Sequence, residues 1–202
     1  MHGLVNRSIQ CFLRDTYGES LWLEIASRIG ISENGFESML IYDDSLTMEL
    51  LDASTRRLDK PVDMLLEDVG TYLVSHPNTE SIRRLLRFGG ETFFEFLHSL
   101  DDLPDRARLA MPDLSLPNLE LIDIGEGQYE LQVSGAQAEY AFVLVGILRA
   151  MADDFGALVF LDQALSDFGH MSIRISLLDS AFSEGRSFSL ARPDASGPEA
   201  LE

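Results

Sequence analysis

The sequence predicts an α+β domain: N-terminal helices packed on one helix plus a small antiparallel four-stranded sheet. Three observations predict it. Apolar residues recur at helical spacing from the start as far as about Leu103. From Pro117 the period changes to two. The second region then runs strand, strand, helix, strand, strand, an order that builds a short antiparallel sheet against helices.

The elements follow in order. Val5, Ile9, Phe12 and Leu13 mark a first helix, closed by Gly18. Leu21 to Ile29 is a second, with Ser20 before it and Gly30 after. Leu46 to Leu58 is a third, entered through Asp43-Asp44-Ser45. Pro61 suits the first turn of a fourth, whose stripe is Val62, Leu65, Leu66 and Val69. Asn78 and Thr79 cap a fifth, carrying Ile82, Leu85 and Leu86. After Gly89-Gly90 a sixth helix starts at Thr92, with Phe93, Phe96, Leu97, Leu100 and Leu103 inward. Pro104 should bend or split it. Leu119 to Ile124 and Gln128 to Ser134 are strands around the turn Gly125-Glu126-Gly127. Gln137 to Phe155 is apolar nearly all round, so it is expected to be a buried helix. Leu158 to Asp162 and Met171 to Leu178 complete the sheet. The domain is placed at 1–182 and a polar, disordered tail at 183–202.

Composition narrows the function. Of 202 residues, 46% are apolar and 24% charged, enough for a core. Thirty-four Asp and Glu face 15 Lys and Arg, a formal charge of −19. A nucleic-acid ligand needs a basic footprint, and an anionic membrane surface repels such a chain. The longest apolar stretch, Tyr140 to Leu148, is far short of the roughly 20 residues a membrane span needs. The N-terminus is polar within seven residues and reads as no signal peptide, so a cytoplasmic protein is expected. Cys11 is the only cysteine, which excludes a disulfide scaffold or cysteine zinc site within one chain.

No catalytic constellation emerges, so no enzyme is expected. The histidines His2, His76, His98 and His170 form no His-Glu-x-x-His and no i, i+4 pair. His98 lies on the aromatic sixth helix, where a metal ligand is conceivable. Asp101-Asp102 and Asp153-Asp154 read as solvated faces or caps, because adjacent helical residues point about 100° apart. Arg83, Arg84 and Arg87 could hold an anion, but on so acidic a chain they are expected to pair with its own carboxylates.

The N-terminus carries more than composition does. Met1-His2-Gly3-Leu4-Val5-Asn6, followed by Phe12, Tyr17-Gly18, Trp22, Ile25 and Gly30, resembles the opening of the H-NOX family, the haem–nitric oxide/oxygen binding (HNOB) domains. The resemblance continues at Gly90-Glu91-Thr92-Phe93-Phe94-Glu95-Phe96-Leu97 and at Pro112-Asp113-Leu114-Ser115-Leu116-Pro117, and covers about residues 1 to 180. It implies a sensor of NO or O2. Haem b would be the cofactor, held by a proximal histidine on the long helix and by a Tyr-x-Ser-x-Arg motif at its propionates. A signalling partner would respond in trans, such as a diguanylate cyclase or histidine kinase.

The sequence departs from that pattern at both sites. Proline stands at the ligand position in Phe96-Leu97-His98-Ser99-Leu100-Asp101-Asp102-Leu103-Pro104, and Pro104 has no lone pair to give iron. Counting back from Gly146-Ile147-Leu148 places Ser134, Ala136 and Ala138 at the propionate motif. Two losses imply a sensory or regulatory binding domain without the usual histidine-ligated haem. Leu4, Val5, Phe96, Leu100, Phe142 and Leu144 are the expected lining of any remaining pocket, which could take a small apolar ligand. The alternative is an atypical haem sensor with His98, His76 or solvent as axial ligand. His98 lies about 9 Å and about 240° from position 104 on a regular helix, out of reach of the same iron.

Overall fold

The computed structural model describes residues 1–135, 140–165 and 171–188. Helix α1 (Gly3–Tyr17) starts because His2 is extended and its Nδ1 accepts from the Leu4 N–H at 3.2 Å. Helix α2 (Glu19–Arg28) follows Gly18, and α3 (Asp44–Leu58) follows a loop that folds back over α1. That loop closes only over a glycine: a Cβ on Gly3 would lie 2.1 Å from the Glu37 carbonyl oxygen. Buried side chains fasten it. Gln10 accepts from the Phe36 N–H at 2.9 Å and donates to the Asn34 carbonyl at 3.2 Å. Trp22 Nε1 donates to Glu33 O at 3.0 Å, and Thr47 donates to Asn6 Oδ1 at 2.7 Å. Several residues that carry the family resemblance (His2, Gly3, Asn6, Trp22) therefore build the scaffold of this helical lobe.

Helix α4 (Val62–Ser75) leads through a 3-10 turn at Pro77–Thr79 into α5 (Glu80–Arg87). Helix α6 (Phe93–His98) opens with a capping box, Thr92 and Glu95 each bonding the other's backbone N–H. It ends after two turns. Leu103 N–H bonds back to Leu100 O at 3.0 Å, and α7 (Leu103–Ala110) starts afresh with Pro104 in its first turn. The sixth helix is thus split into two just before Pro104, as the proline implied.

Strands β1 (Asn118–Gly125) and β2 (Gln128–Ser134) form a hairpin. Its turn residues Glu126 and Gly127 both have positive φ, 54° and 74°, the left-handed pair that a two-residue turn requires. Helix α8 (Ala141–Phe155) precedes β3 (Leu158–Leu165) and β4 (Met171–Asp179). The four-stranded antiparallel sheet runs β1-β2-β4-β3. The expected helix start at Gln137 lies outside the described residues. No helix among the described residues is long and apolar enough to cross a membrane.

Two apolar cores result. One joins the sheet, α6 and α8; the other joins α1 to α4. They meet where α4 crosses α8, and the crossing is a glycine contact on both sides. A Cβ at Gly70 would sit 2.0 Å from Val143 O, and one at Gly146 would sit 2.0 Å from Glu67 O. The polar tail expected from residue 183 does not leave the domain there. Ser183 N–H donates to Gly156 O at 3.0 Å and Arg186 N–H to Asp154 O at 2.9 Å. Residues 183–188 form a strap over the α5–α8 junction, drawn in by the Arg83–Asp154 pair and the Phe188 ring beneath two guanidinium groups.

Candidate functional site

A cavity of about 240 Å³ lies at the seam between the two cores. Its walls come from α1, α4, α5, α7, α8 with the preceding Tyr140, and the segment that runs into the start of β1. Apolar periodicity put Ile82, Leu85 and Leu86 inward on the fifth helix, and there they line the cavity, as does Leu73 of α4. Among the expected lining residues, Leu4, Val5 and Leu144 face it. Phe96, Leu100 and Phe142 do not. Phe96 and Leu100 sit in the sheet-side core, Phe96 against Phe93 and Phe155. Phe142 packs against both cores. The physical reason is the short α6: its apolar stripe turns toward α8 and ends before it can reach the seam. A larger hollow, about 660 Å³, lies on the surface between α3 and α4. Its rim includes exposed Asp52, Arg56 and Asp59, so it shields nothing from water.

The cavity's chemistry is plain. Among the described residues, no charged side chain, histidine or cysteine lines it. Polar side chains are limited to Ser8, Ser115 and Tyr140. Ser8 Oγ donates to the Leu4 carbonyl at 2.9 Å, and the Tyr140 hydroxyl to Met1 Sδ at 3.3 Å. Tyr140 and Ser115 were missed by sequence reasoning, because a single polar residue beside an apolar run signals an edge and not a lining.

The sequence-level candidates lie elsewhere. Pro104 is buried in the first turn of α7, next to the lining residue Leu103. His98 is an exposed residue whose ring meets Phe94 at 4.4 Å and Tyr129 at 6.0 Å, with Asp123 at 4.0 Å. It does not line the cavity, nor does His76, which stacks on Tyr72 at 4.8 Å and accepts from Asn78 N–H. Ser134 ends β2 opposite Asn118, away from the cavity lining. Ala136 and Ala138 lie outside the described residues. Among the described residues, no three His, Cys, Asp or Glu side chains gather as a metal-holding group.

One buried polar cluster does form. Asp154, 1% exposed, accepts from Arg83 Nε at 2.8 Å, with Arg87 Nη1 at 3.6 Å and Arg186 Nε at 3.8 Å. Arg87 also lies over the Phe155 ring, 4.0 Å from its centre. Burial lowers the Arg87 pKa, the nearby Asp154 charge opposes this, and Arg83 adds to it. The Arg cluster thus pairs internally, as its acidic context implied. Asp154 itself corrects the sequence reading of Asp153-Asp154 as solvated: one is exposed and the other is a buried counter-ion.

The Haem-NO-binding (HNOB) family profile matches residues 2–161. The chain belongs to that family. Among its relatives is the soluble guanylate cyclase gcy-31 of Caenorhabditis elegans, 30% identical over 118 residues, 58% of this chain and 17% of that protein. The Drosophila melanogaster soluble guanylate cyclase 89Da is 22% identical over 77% of this chain and 23% of its own length. This HNOB domain therefore spans less than a quarter of either cyclase. Its fold matches an H-NOX protein from S. oneidensis in the Fe(II)NO ligation state, with a TM-score of 0.75 at 17% identity, over 89% of this chain and 100% of that one. A T. tengcongensis H-NOX variant gives 0.74 at 16% identity, over 90% and 100%. HNOB domains are haem-binding sensor domains and not catalytic ones.

Haem makes three demands: an axial donor, room for four pyrrole rings, and partners for two propionates. Of the cavity-lining side chains in this HNOB domain, only Tyr140 and Met111 are of a type seen on haem iron, and the Tyr140 hydroxyl is engaged with Met1. Among the described residues, no lining side chain can pair a propionate. The volume falls below the roughly 300–1,000 Å³ of clefts that hold drug-sized ligands, and haem is larger than most of those. The described lining residues do not fit the group.

Proposed function

We propose that this HNOB domain is a sensory or regulatory binding domain that works without histidine-ligated haem. It acts in trans on a signalling protein of the nucleotide-cyclase or histidine-kinase kind. One observation carries the reading: Pro104, which the family resemblance sets at the proximal-ligand position, lies in the first turn of a new helix beside a cavity with no histidine and no cation among its described lining residues. The family fold supports a sensor, and the guanylate cyclase relatives support a signalling partner. The partner side is favoured by charge, since a surface carrying −19 overall meets a basic face readily.

The test is an absorbance spectrum of the protein expressed with added haem precursor and then reconstituted with haemin. The expected result is no stoichiometric Soret band. A stoichiometric band overturns the reading, and its disappearance in His98→Ala, His76→Ala or Tyr140→Phe would name the ligand of the alternative haem sensor.

A further inference from the structure

We propose that the cavity between the two cores binds a neutral, apolar small molecule of about ten carbon atoms. This rests on the haem-free reading above and names the ligand class of the same site.

Size comes first. An apolar cavity of about 150 Å³ holds benzene. On that scale, about 240 Å³ holds a molecule of roughly ten carbons, such as a fused bicyclic or branched alicyclic hydrocarbon.

Wall chemistry sets polarity. An anion entering the cavity would lose its water and find no lysine, arginine or histidine among the described wall residues. A cation would find no carboxylate among them. The chain's −19 charge adds a long-range penalty for anions. The few polar atoms are already engaged at Ser8 and Tyr140. What remains is an apolar surface whose burial favours uncharged carbon.

The cavity does not simply collapse, because its walls are held from outside. Helices α4 and α8 are locked backbone to backbone at Gly70 and Gly146. Helix α5 has two faces. Ile82, Leu85 and Leu86 look into the cavity, while Arg83 and Arg87 reach the other way to buried Asp154. Helix α7, restarted at Leu103 and Pro104, is tied to the preceding turn by Arg106 Nη2 donating to Ser99 O at 2.8 Å. Any of these four helices would close on the space only by breaking one of these contacts. The void is therefore a property of the frame, and a ligand that fills it regains dispersion contacts the walls now lack.

The experiment titrates the full chain with naphthalene and with 2-naphthoate, the same ring bearing a carboxylate. One naphthalene per chain is expected, with 2-naphthoate at least about 100-fold weaker. Leu144→Phe on α8 and Val69→Phe on α4 each fill part of the cavity and should weaken naphthalene at least about tenfold. Circular dichroism establishes which of the two remains folded, and either folded variant suffices. Binding of 2-naphthoate within tenfold of naphthalene overturns the proposal. So does unchanged affinity in a folded filling variant, or no naphthalene binding up to its solubility limit. Any of these outcomes without a Soret band leaves the haem-free reading standing, whereas a stoichiometric Soret band sinks that reading itself.

Discussion

Replacing Asp154 with alanine tests the frame that holds the cavity open. Asp154 is 1% exposed and the Arg83 side chain 6%, so the pair is out of water. Arg83 keeps two other partners, Glu80 Oε1 and Ser187 O, both at 3.2 Å, but Glu80 is nearly half exposed. Removing one member of a buried ion pair strands the other, at a cost of about 3–5 kcal/mol. For a domain of this size each kcal/mol moves the melting temperature by about 2–4 °C. Asp154→Ala should therefore melt about 6–20 °C lower. Urea unfolding of Asp154→Ala, Arg83→Ala and the double variant gives the coupling directly. It should be at least about 1 kcal/mol, because both single changes break the same contact. Naphthalene affinity should fall in parallel, since α5 loses its outer anchor. A loss below about 1 kcal/mol for Asp154→Ala, or strict additivity in the double variant, would refute a buried pair that fixes α5.

Other outcomes follow from the same frame. Gly146→Ala should cost at least about 3 kcal/mol in urea unfolding, because its Cβ meets the Glu67 carbonyl and no flexible side chain can yield. The Tyr72–Asp15 contact, 2.6 Å, should shape stability against pH. Burial pushes Asp15 up, but hydrogen bonds from Tyr72 and Asn78 outweigh it and hold the carboxyl below 3.8. Its contribution is complete above that value and is lost as pH falls through the folded pKa. Burial and then the Asp15 hydrogen bond raise Tyr72, so its contribution is complete below pH 10.0 and is lost at higher pH. A urea-midpoint profile should lose part of both limbs in Tyr72→Phe; an unchanged profile would show that this contact sets neither.

Local signals made most elements legible. The apolar stripes of α1 to α5, the Gly125-Glu126-Gly127 turn and the two hairpins around α8 all follow from spacing and turn residues within a short window. Pro104 disclosed the split between α6 and α7, since proline cannot serve a helix interior. What stayed hidden is long-range. Periodicity says that Phe96 and Leu100 are buried, and not that they face the sheet-side core instead of the seam. Asp153 and Asp154 are alike in sequence, and only the position of Arg83, 71 residues away, decides which becomes a buried counter-ion. The polar composition after residue 183 argued for a free tail. Two backbone hydrogen bonds and an aromatic side chain at Phe188 override that composition over the first six residues.

Under the proposed reading, position 104 is one of three obstacles to haem, and Pro104→His separates them. Restoring histidine supplies a donor, but residue 104 lies in the first turn of a helix that begins at Leu103. The α7 side chains that face the cavity are Leu103 and Ala107, one turn apart, with 104 rotated about 100° from 103. The cavity stays near 240 Å³, and no cation among its described wall residues can meet a propionate. Pro104→His alone is therefore expected to give no stoichiometric Soret band on reconstitution with haemin. Adding Leu86→Ala and Leu144→Ala enlarges the space from two walls and removes the second obstacle, but leaves the propionates unpaired, so haem should remain weakly held and easily stripped. If Pro104→His by itself loads haem stoichiometrically, the missing histidine was the only thing lost. The seam must then open readily to the full size of the macrocycle, and a ligand limit drawn from the closed volume falls with that result.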